Sequence, residues 1–295
     1  MNPESARPDT STDSNIVIRD IESIAEMREV EELQKIVWGF SDREIVPAFT
    51  LKPTTDAGGI LVGAFDKEVL VGFAYGFVGH ERGRAYIHSD MLAVMPQYRN
   101  RRLGYKLKLA QRERTLSRGL TRMTWTFDPL QSRNAYLNFA KLGVLSDSYE
   151  VNYYGAETTS FLHRGVGTDR LFVTWLLDSV RVEKRLDDES MHVAAPVPPL
   201  DEPATLVRVR RDNAPEPDLA NLALLPTLLA LEIPDDIGAL QRQTPALAAQ
   251  WRETTRVAFN RALAANYLVE DFARASKDGR PYGIYLLRHG GEIKD

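Results

Sequence analysis

The stretch Val94-Met-Pro-Gln-Tyr-Arg-Asn-Arg-Arg-Leu-Gly-Tyr-Lys-Leu107 decides how this chain is read. An apolar run of strand character, Ala85 to Val94, meets Pro96, then an arginine cluster, then the start of an amphipathic helix. That order of strand, turn and helix makes a place for a phosphate. Arg101 to Tyr105 open the helix, and the first N–H groups of a helix have no intrahelical acceptor. Those donors and the positive end of the helix dipole together favour an anion. Arg99, Arg101 and Arg102 add full charges where a pyrophosphate would sit.

Three apolar runs lead into the junction: Ile60 to Phe65, Leu70 to Val78 and Ala85 to Val94. The short polar connections between them are those of neighbouring antiparallel strands. Ahead of them, Ile16 to Ile21 reads as a strand. Ile24 to Trp38 follows as a helix, with apolar residues at Ile24, Met27, Val30, Leu33, Val37 and Trp38. Ser41 to Thr55, with Pro47 and Pro53, suits a substrate-facing loop or short helix. Beyond the junction come a helix closed by Gly119, a strand at Met123 to Phe127, a helix at Gln131 to Leu142 stopped at Gly143, and extended chain at Val144 to Tyr154. The expected fold class is α/β: a mixed, mostly antiparallel sheet flanked by helices.

The rest of the chain is less legible. Leu171 to Val182 is a strand or a core helix. Residues 187–204 hold Pro196, Pro198, Pro199 and Pro203 among acidic side chains and read as a linker or surface loop. Leu206 to Val209, Tyr267 to Phe272 and Tyr282 to Leu287 read as strands. Thr244 to Asn266 reads as a long helix started by Thr244-Pro245. The expected organisation is a disordered tail over 1–15, a core over 16–186, the linker over 187–204 and a C-terminal α/β extension over 205–295.

Composition bounds the function. The chain has 295 residues, 43% of them hydrophobic, a formal charge of −4 and no cysteine. That excludes disulfides, thiolate catalysis and cysteine metal sites, and argues against nucleic acid as a partner. No apolar run approaches the ~18 residues that span a membrane. The polar segment Met1 to Asn15 lacks the apolar centre of a signal peptide, so a cytoplasmic location is expected. His163, His192 and His289 show no metal-ligand spacing, and no metal is expected. No glycine loop carries a Walker lysine.

The strand, the Val-x-Pro-x-Tyr-Arg segment and the helix with Gly104 resemble the acyl-CoA-binding motif of the GNAT N-acyltransferase superfamily. Its pattern Gln/Arg-x-x-Gly-x-Gly/Ala falls on Arg99, Arg102 and Gly104, with arginine in place of the middle glycine. Arg102 is expected to take helical dihedrals. The resemblance implies a GNAT-type sheet that holds acetyl-CoA or succinyl-CoA as co-substrate through Leu92, Ala93, Val94, Arg99, Asn100, Arg101, Arg102, Leu103, Gly104, Tyr105 and Asn134. The segments Lys108 to Arg112, Trp125 to Tyr136, Asn152 to Gly155 and Gly167 to Leu171 are similar to one subgroup with a C-terminal extension. Members of that subgroup are associated with N-acylation of amino acids.

The implied reaction is direct attack of an amine on a thioester, so the amine must be neutral. An α-amino group with pKa near ~8 costs about 1–1.5 kcal/mol to deprotonate at pH 7, and a lysine near ~10.4 costs about 4.6. An α-amine therefore needs only a weak base. His88 and Asp90 alternate along one strand face with Leu92 and Val94, and are candidate bases or a strand-end surface pair. The face toward the acyl group carries either that pair or Ser89 and Met91. The tyrosine that often protonates the leaving thiolate stands at Ala-x-x-x-Tyr, which here gives Phe139. Tyr136 is the candidate substitute; the alternatives are that it packs in the core, or that the thiolate leaves unassisted. Asn134 is a cofactor ligand or a helix cap, and Arg133 a candidate for a substrate carboxylate. Lys106, Lys108, Arg112 and Arg114 are candidates for a nucleotide phosphate or a solvated face. Asp128 and Asp169 are turn-ordering residues or substrate ligands. The expected acceptor is a small amine such as an amino acid; a protein N-acetyltransferase and a non-catalytic acyl-CoA sensor are the alternatives, and a homodimer is left open.

Overall fold

The computed structural model describes residues 16–155, 167–187 and 203–294. The tail at 1–15, nearly all of the linker at 187–204, His163 and His192 lie outside them. The chain divides into two units, Met1–His80 with Ser89–Arg118, and Glu81–His88 with Gly119–Asp295.

The first unit holds β1 (Ile16–Asp20), α1 (Ile24–Trp38), α2 (Ala48–Asp56), β2 (Ile60–Asp66), nearly all of β3 (Val69–Glu81), the second half of β4 (Arg84–Val94) and α3 (Leu103–Ser117). Its strands follow the order β1-β2-β3-β4, and the β1–β2 and β2–β3 pairs are antiparallel. α1 starts where Ser23 and Glu26 exchange hydrogen bonds as a capping box, and ends at Gly39 with φ 70°. Its inner face, Met27, Val30, Leu33 and Val37, forms a core with Leu51 of α2, Phe65 of β2, and Phe73 and Tyr75 of β3. The segment with two prolines is a helix, α2. Thr54 and Thr55 hydroxyls bond back to Thr50 and Leu51 carbonyls around Pro53, which has no N–H to give. α3 lies on the other face of these strands. Val94 Cγ2 and Leu107 Cδ1 both come within 3.4 Å of the place a Cβ on Gly72 would occupy.

The second unit continues with β5 (Arg122–Phe127), α4 (Ser132–Ala135), a π-helix (Tyr136–Leu142), β6 (Leu145–Glu150), β7 (Arg170–Leu176), α5 (Val180–Asp187), β8 (Ala204–Val209), β9 (Pro215–Pro217), β10 (Leu228–Pro234), α6 (Ile237–Gln243), α7 (Pro245–Ala264), β11 (Tyr267–Lys277) and β12 (Arg280–His289). The first half of β4 pairs with β5 in parallel, and the order runs on as β5-β7-β6-β11-β12-β10-β8-β9. Apart from β4–β5 and β8–β10, the recorded pairs are antiparallel, so the sheet is mixed and mostly antiparallel as expected. Phe127, Phe139, Tyr285, Phe259 and Phe272 meet in its core at ring separations of 4.7–6.1 Å. Among the described residues no helix is long and apolar enough to cross a membrane.

Leu171 to Val182 resolves into the end of a strand and the start of a helix, because Ser179 caps α5 by accepting the Val182 N–H at 3.4 Å. The helix expected over Gln131 to Leu142 is α-helical only to Ala135. It then widens to i→i+5 bonding, and Gly143 closes it with φ 73° and its N–H on Asn138 O. β10 and α6 are elements that periodicity did not single out.

Candidate functional site

The junction after β4 is built in the first unit. Met95 N–H bonds Val71 O at 2.9 Å, and a 3₁₀ turn over Pro96–Tyr98 follows. The Tyr98 hydroxyl donates to Asp66 Oδ2 at 2.7 Å and ties that turn to β2. The backbone then curls. Asn100 has φ 65° and Arg102 φ 60°, ψ 13°. Two left-handed residues so close together make a tight backbone turn of the kind from which anion-binding nests are built. Arg102 thus departs from the helical dihedrals expected of it: it is the residue before α3, in the region glycine enters freely. Its carbonyl takes the first helical bond, from Lys106 N–H at 3.0 Å, so the N–H groups of Leu103 and Gly104 have no acceptor within the helix.

The side chains agree with that backbone. Arg99, Asn100 and Arg102 are exposed and Arg101 is half-buried. The Arg101 guanidinium lies 5.1 Å from the Tyr98 ring, and that of Arg102 5.6 Å from the Tyr105 ring. A left-handed conformation costs a non-glycine residue about 1–2 kcal/mol. Arg102→Gly is therefore expected to raise stability by about 1 kcal/mol in chemical denaturation, and a destabilised variant would contradict this φ.

Gly104 has no packing reason to be glycine. Among the described residues a Cβ there would meet only Leu92 Cδ2, at an ordinary 3.7 Å. Glycine inside a helix costs about 1 kcal/mol against alanine. The space above Gly104 fits the close approach of a phosphate to the helix start.

β4 does not alternate as its sequence suggests. Ser89 faces α3, since its hydroxyl accepts from Lys108 Nζ at 2.7 Å and donates to Gln111 Oε1 at 2.8 Å. Leu92 and Val94 also face α3, against Gly104 and Gly72. Met91 and Ala93 face the opposite core with α1 and α2. Ser89 and Met91, two residues apart, thus point to opposite faces, and the strand slips by one residue at Asp90, as a β-bulge does. The expected single face of His88, Asp90, Leu92 and Val94 is therefore corrected. Asp90 is half-buried, and burial raises its carboxyl pKa above the usual range.

Lys108 was expected on a phosphate or in solvent. It is 2% exposed, and burial pulls its ammonium pKa down from 10.5 to about 7. Gln111 and Thr115 are buried beside it, with Thr115 Oγ1 on Gln111 O at 2.7 Å. One signal was present: Gly104, Lys108, Gln111 and Thr115 form a stripe at helical spacing. Arg114 instead pairs with Asp20 of β1, and Lys106 is exposed.

His88, Arg133, Asn134 and Tyr136 belong to the second unit. His88 Nδ1 lies 3.0 Å from Thr124 Oγ1, and its ring 5.8 Å from Phe172. Arg133 and Asn134 are exposed on α4. The residue before α4 is Gln131, without a side-chain cap bond, so Asn134 is not the cap. Tyr136 is half-buried, and burial raises its phenol pKa. Lys141 Nζ and Arg274 Cζ stand 5.4 and 5.7 Å from its ring. Lys141 is five residues on, the neighbour that π-helical winding brings over it. The same winding unseats the spacing that pointed to Phe139, which is fully buried in the aromatic core. Tyr149 is also structural, its hydroxyl donating to Asp169 at 2.7 Å. Asp128 orders its turn by accepting Leu130 N–H at 3.0 Å, and takes Arg252 Nη2 at 2.8 Å. Among the described residues no cluster of three or more acidic or histidine side chains could hold a metal.

Residues 24–143 match the family model described as Acetyltransferase (GNAT) family. Among solved structures the chain is similar to the ribosomal-protein-S18-alanine N-acetyltransferase from Escherichia coli, at 15% identity over 56% of this chain and 95% of that one, with a TM-score of 0.45. A PaiA N-acetyltransferase from Thermoplasma acidophilum in complex with coenzyme A is 16% identical over 54% of this chain and 97% of that one, TM-score 0.39. An aminoglycoside 6'-acetyltransferase type Ii is 18% identical over 55% and 98%, TM-score 0.44. Comparison with curated proteins gives no match.

Proposed function

We propose, from the match of residues 24–143 to the GNAT acetyltransferase family model, an N-acyltransferase that moves an acetyl or succinyl group from acyl-CoA to a small primary amine such as an amino acid. The observation that carries the reading is the space over Gly104 beside the left-handed turn at Arg102. The backbone of Leu103, Gly104 and Tyr105 and the cations Arg99, Arg101 and Arg102 would receive the pyrophosphate, with Asn100 shaping the turn. Backbone groups of Leu92, Ala93 and Val94 would pair with the pantetheine arm, and Asn134 offers an amide to it. An N–H on this strand would steady the oxyanion.

In the step itself the amine nitrogen bonds to the thioester carbon and the C–S bond breaks. One proton leaves the amine and one joins the thiolate. Asp90, whose burial makes its carboxylate the stronger base, is assigned the first proton, with His88 as the alternative. Tyr136 is the candidate donor of the second, with unassisted departure of the thiolate the alternative. Arg133 offers a cation to an acceptor carboxylate.

The test is release of free CoA thiol from acetyl-CoA and succinyl-CoA over a panel of amino acids, polyamines and short peptides. Turnover with an amino acid is expected. Turnover with peptides alone would replace the acceptor by a protein N-terminus, and donor binding without turnover on any amine would make the chain a sensor.

A further inference from the structure

We infer that Lys108 is a positioning residue for the acyl donor: by holding Ser89 it pins β4 to α3 at the point where the strand changes faces. The inference rests on the donor reading above. Lys108 stands one helical turn after Gly104. Its Nζ reaches Ser89 Oγ at 2.7 Å, and that hydroxyl passes on to Gln111 Oε1 at 2.8 Å. Ser89 directly precedes the slip at Asp90, and Leu92, Ala93 and Val94, the proposed pantetheine partners, follow it. One turn of helix and one hydrogen bond therefore join the phosphate nest to the strand that would carry the thioester. A bulged strand has lost part of its own ladder, so a contact from outside must set its height.

Stability alone does not call for this lysine. An apolar side chain of the same length would fill the space without burying an amine. Gln111 Nε2 is buried beside it with no hydrogen-bond partner among the described residues. Groups held at such expense gather where a protein works. Several charged groups on the packed elements have partners of their own. Asp20 of β1 pairs with Arg114, Asp66 of β2 takes the Tyr98 hydroxyl, and Asp90 of β4 influences Tyr75 of β3. Arg112 and Tyr105 are the nearby titratable groups on α3 itself.

Calorimetric binding of acetyl-CoA and of adenosine 3',5'-bisphosphate to the full chain tests this. The bisphosphate probes the nest alone. In Lys108→Met and, independently, Ser89→Ala, acetyl-CoA affinity is expected to fall about tenfold, the worth of one hydrogen bond, while bisphosphate affinity holds. Equal losses for both ligands would make the lysine merely structural, and unchanged acetyl-CoA affinity in the two folded variants would also overturn the inference. A wild type that binds neither ligand would instead overturn the donor reading beneath it.

Discussion

Lys108→Met is expected to raise the melting temperature of the full chain at pH 6 by about 5–10 °C. Lys108 is 2% exposed, and its pKa falls from 10.5 to about 7 on burial. A gap of that size corresponds to about 5 kcal/mol between the folded and unfolded states. Because the folded pKa is the lower one, the unfolded chain binds more protons between pH 7 and pH 10.5, and stability rises with pH across that window. The penalty is fully present below pH 7 and fades above it. Methionine removes it, losing in return about 1 kcal/mol of hydrogen bonding to Ser89. Melting curves from pH 6 to 9.5 check this. The wild type should climb toward the variant as pH rises. A variant that melts lower, or one with the same pH slope as the wild type, would show that the amine is not buried as charged cargo.

Asp169→Ala should act in the opposite direction, costing about 3–5 kcal/mol. The carboxylate is fully buried and accepts Arg256 Nε at 2.8 Å, Arg256 Nη2 at 3.1 Å, the Tyr149 hydroxyl at 2.7 Å and the Asn152 N–H at 3.1 Å. Burial alone would raise its pKa, but the bonds from Arg256, Tyr149 and Asn152 outweigh it and hold the carboxyl below the usual range. With its folded pKa the lower, its contribution is present above the unfolded value and lost as pH falls through the folded one. Deleting it takes two bonds from the Arg256 guanidinium, which keeps Glu253 at 2.9 Å, and removes the acceptor of the buried Tyr149 hydroxyl. Tyr149→Phe removes a single bond to a charged group and should cost only about 1.5–3 kcal/mol by denaturant unfolding. Equal losses in the two variants would mean that Arg256 contributes nothing through Asp169.

The legible parts of the fold were the local ones. β2, β3 and β4 announced themselves because apolar runs separated by short polar connections, Asp66 to Glu68 and Gly79 to Gly83, admit few other structures. α1 was legible from the apolar spacing of Ile24 to Trp38, and its bounds are as read. The proposed phosphate site could be read locally because its candidate donors and cations sit within a few residues of one another. What escaped depends on distance or on a change of period. Arg252 and Asp128 are 124 positions apart, Arg256 and Asp169 87 apart, and no local pattern pairs them. A strand that slips one residue at Asp90 keeps the composition of one that does not, so the face of His88 could not be carried across it. The π-helix over Tyr136–Leu142 shifts every neighbour by one, and reading four residues on from Ala135 landed on a core phenylalanine. Lys108 failed for a simpler reason: a lysine on an amphipathic helix reads as solvent-facing unless something else marks the stripe.

Gly104→Ala, measured by calorimetric titration with acetyl-CoA beside a thermal melt, tests the central claim most directly. Among the described residues a Cβ at this position meets only Leu92, at 3.7 Å, so the fold should lose nothing and gain up to about 1 kcal/mol. The account predicts that the wild type binds acetyl-CoA and that the alanine variant, equally or more stable, binds it at least about tenfold more weakly, because the methyl group occupies the phosphate's approach to the helix. A wild type that does not bind, or an alanine variant that binds as well as the wild type, would contradict it.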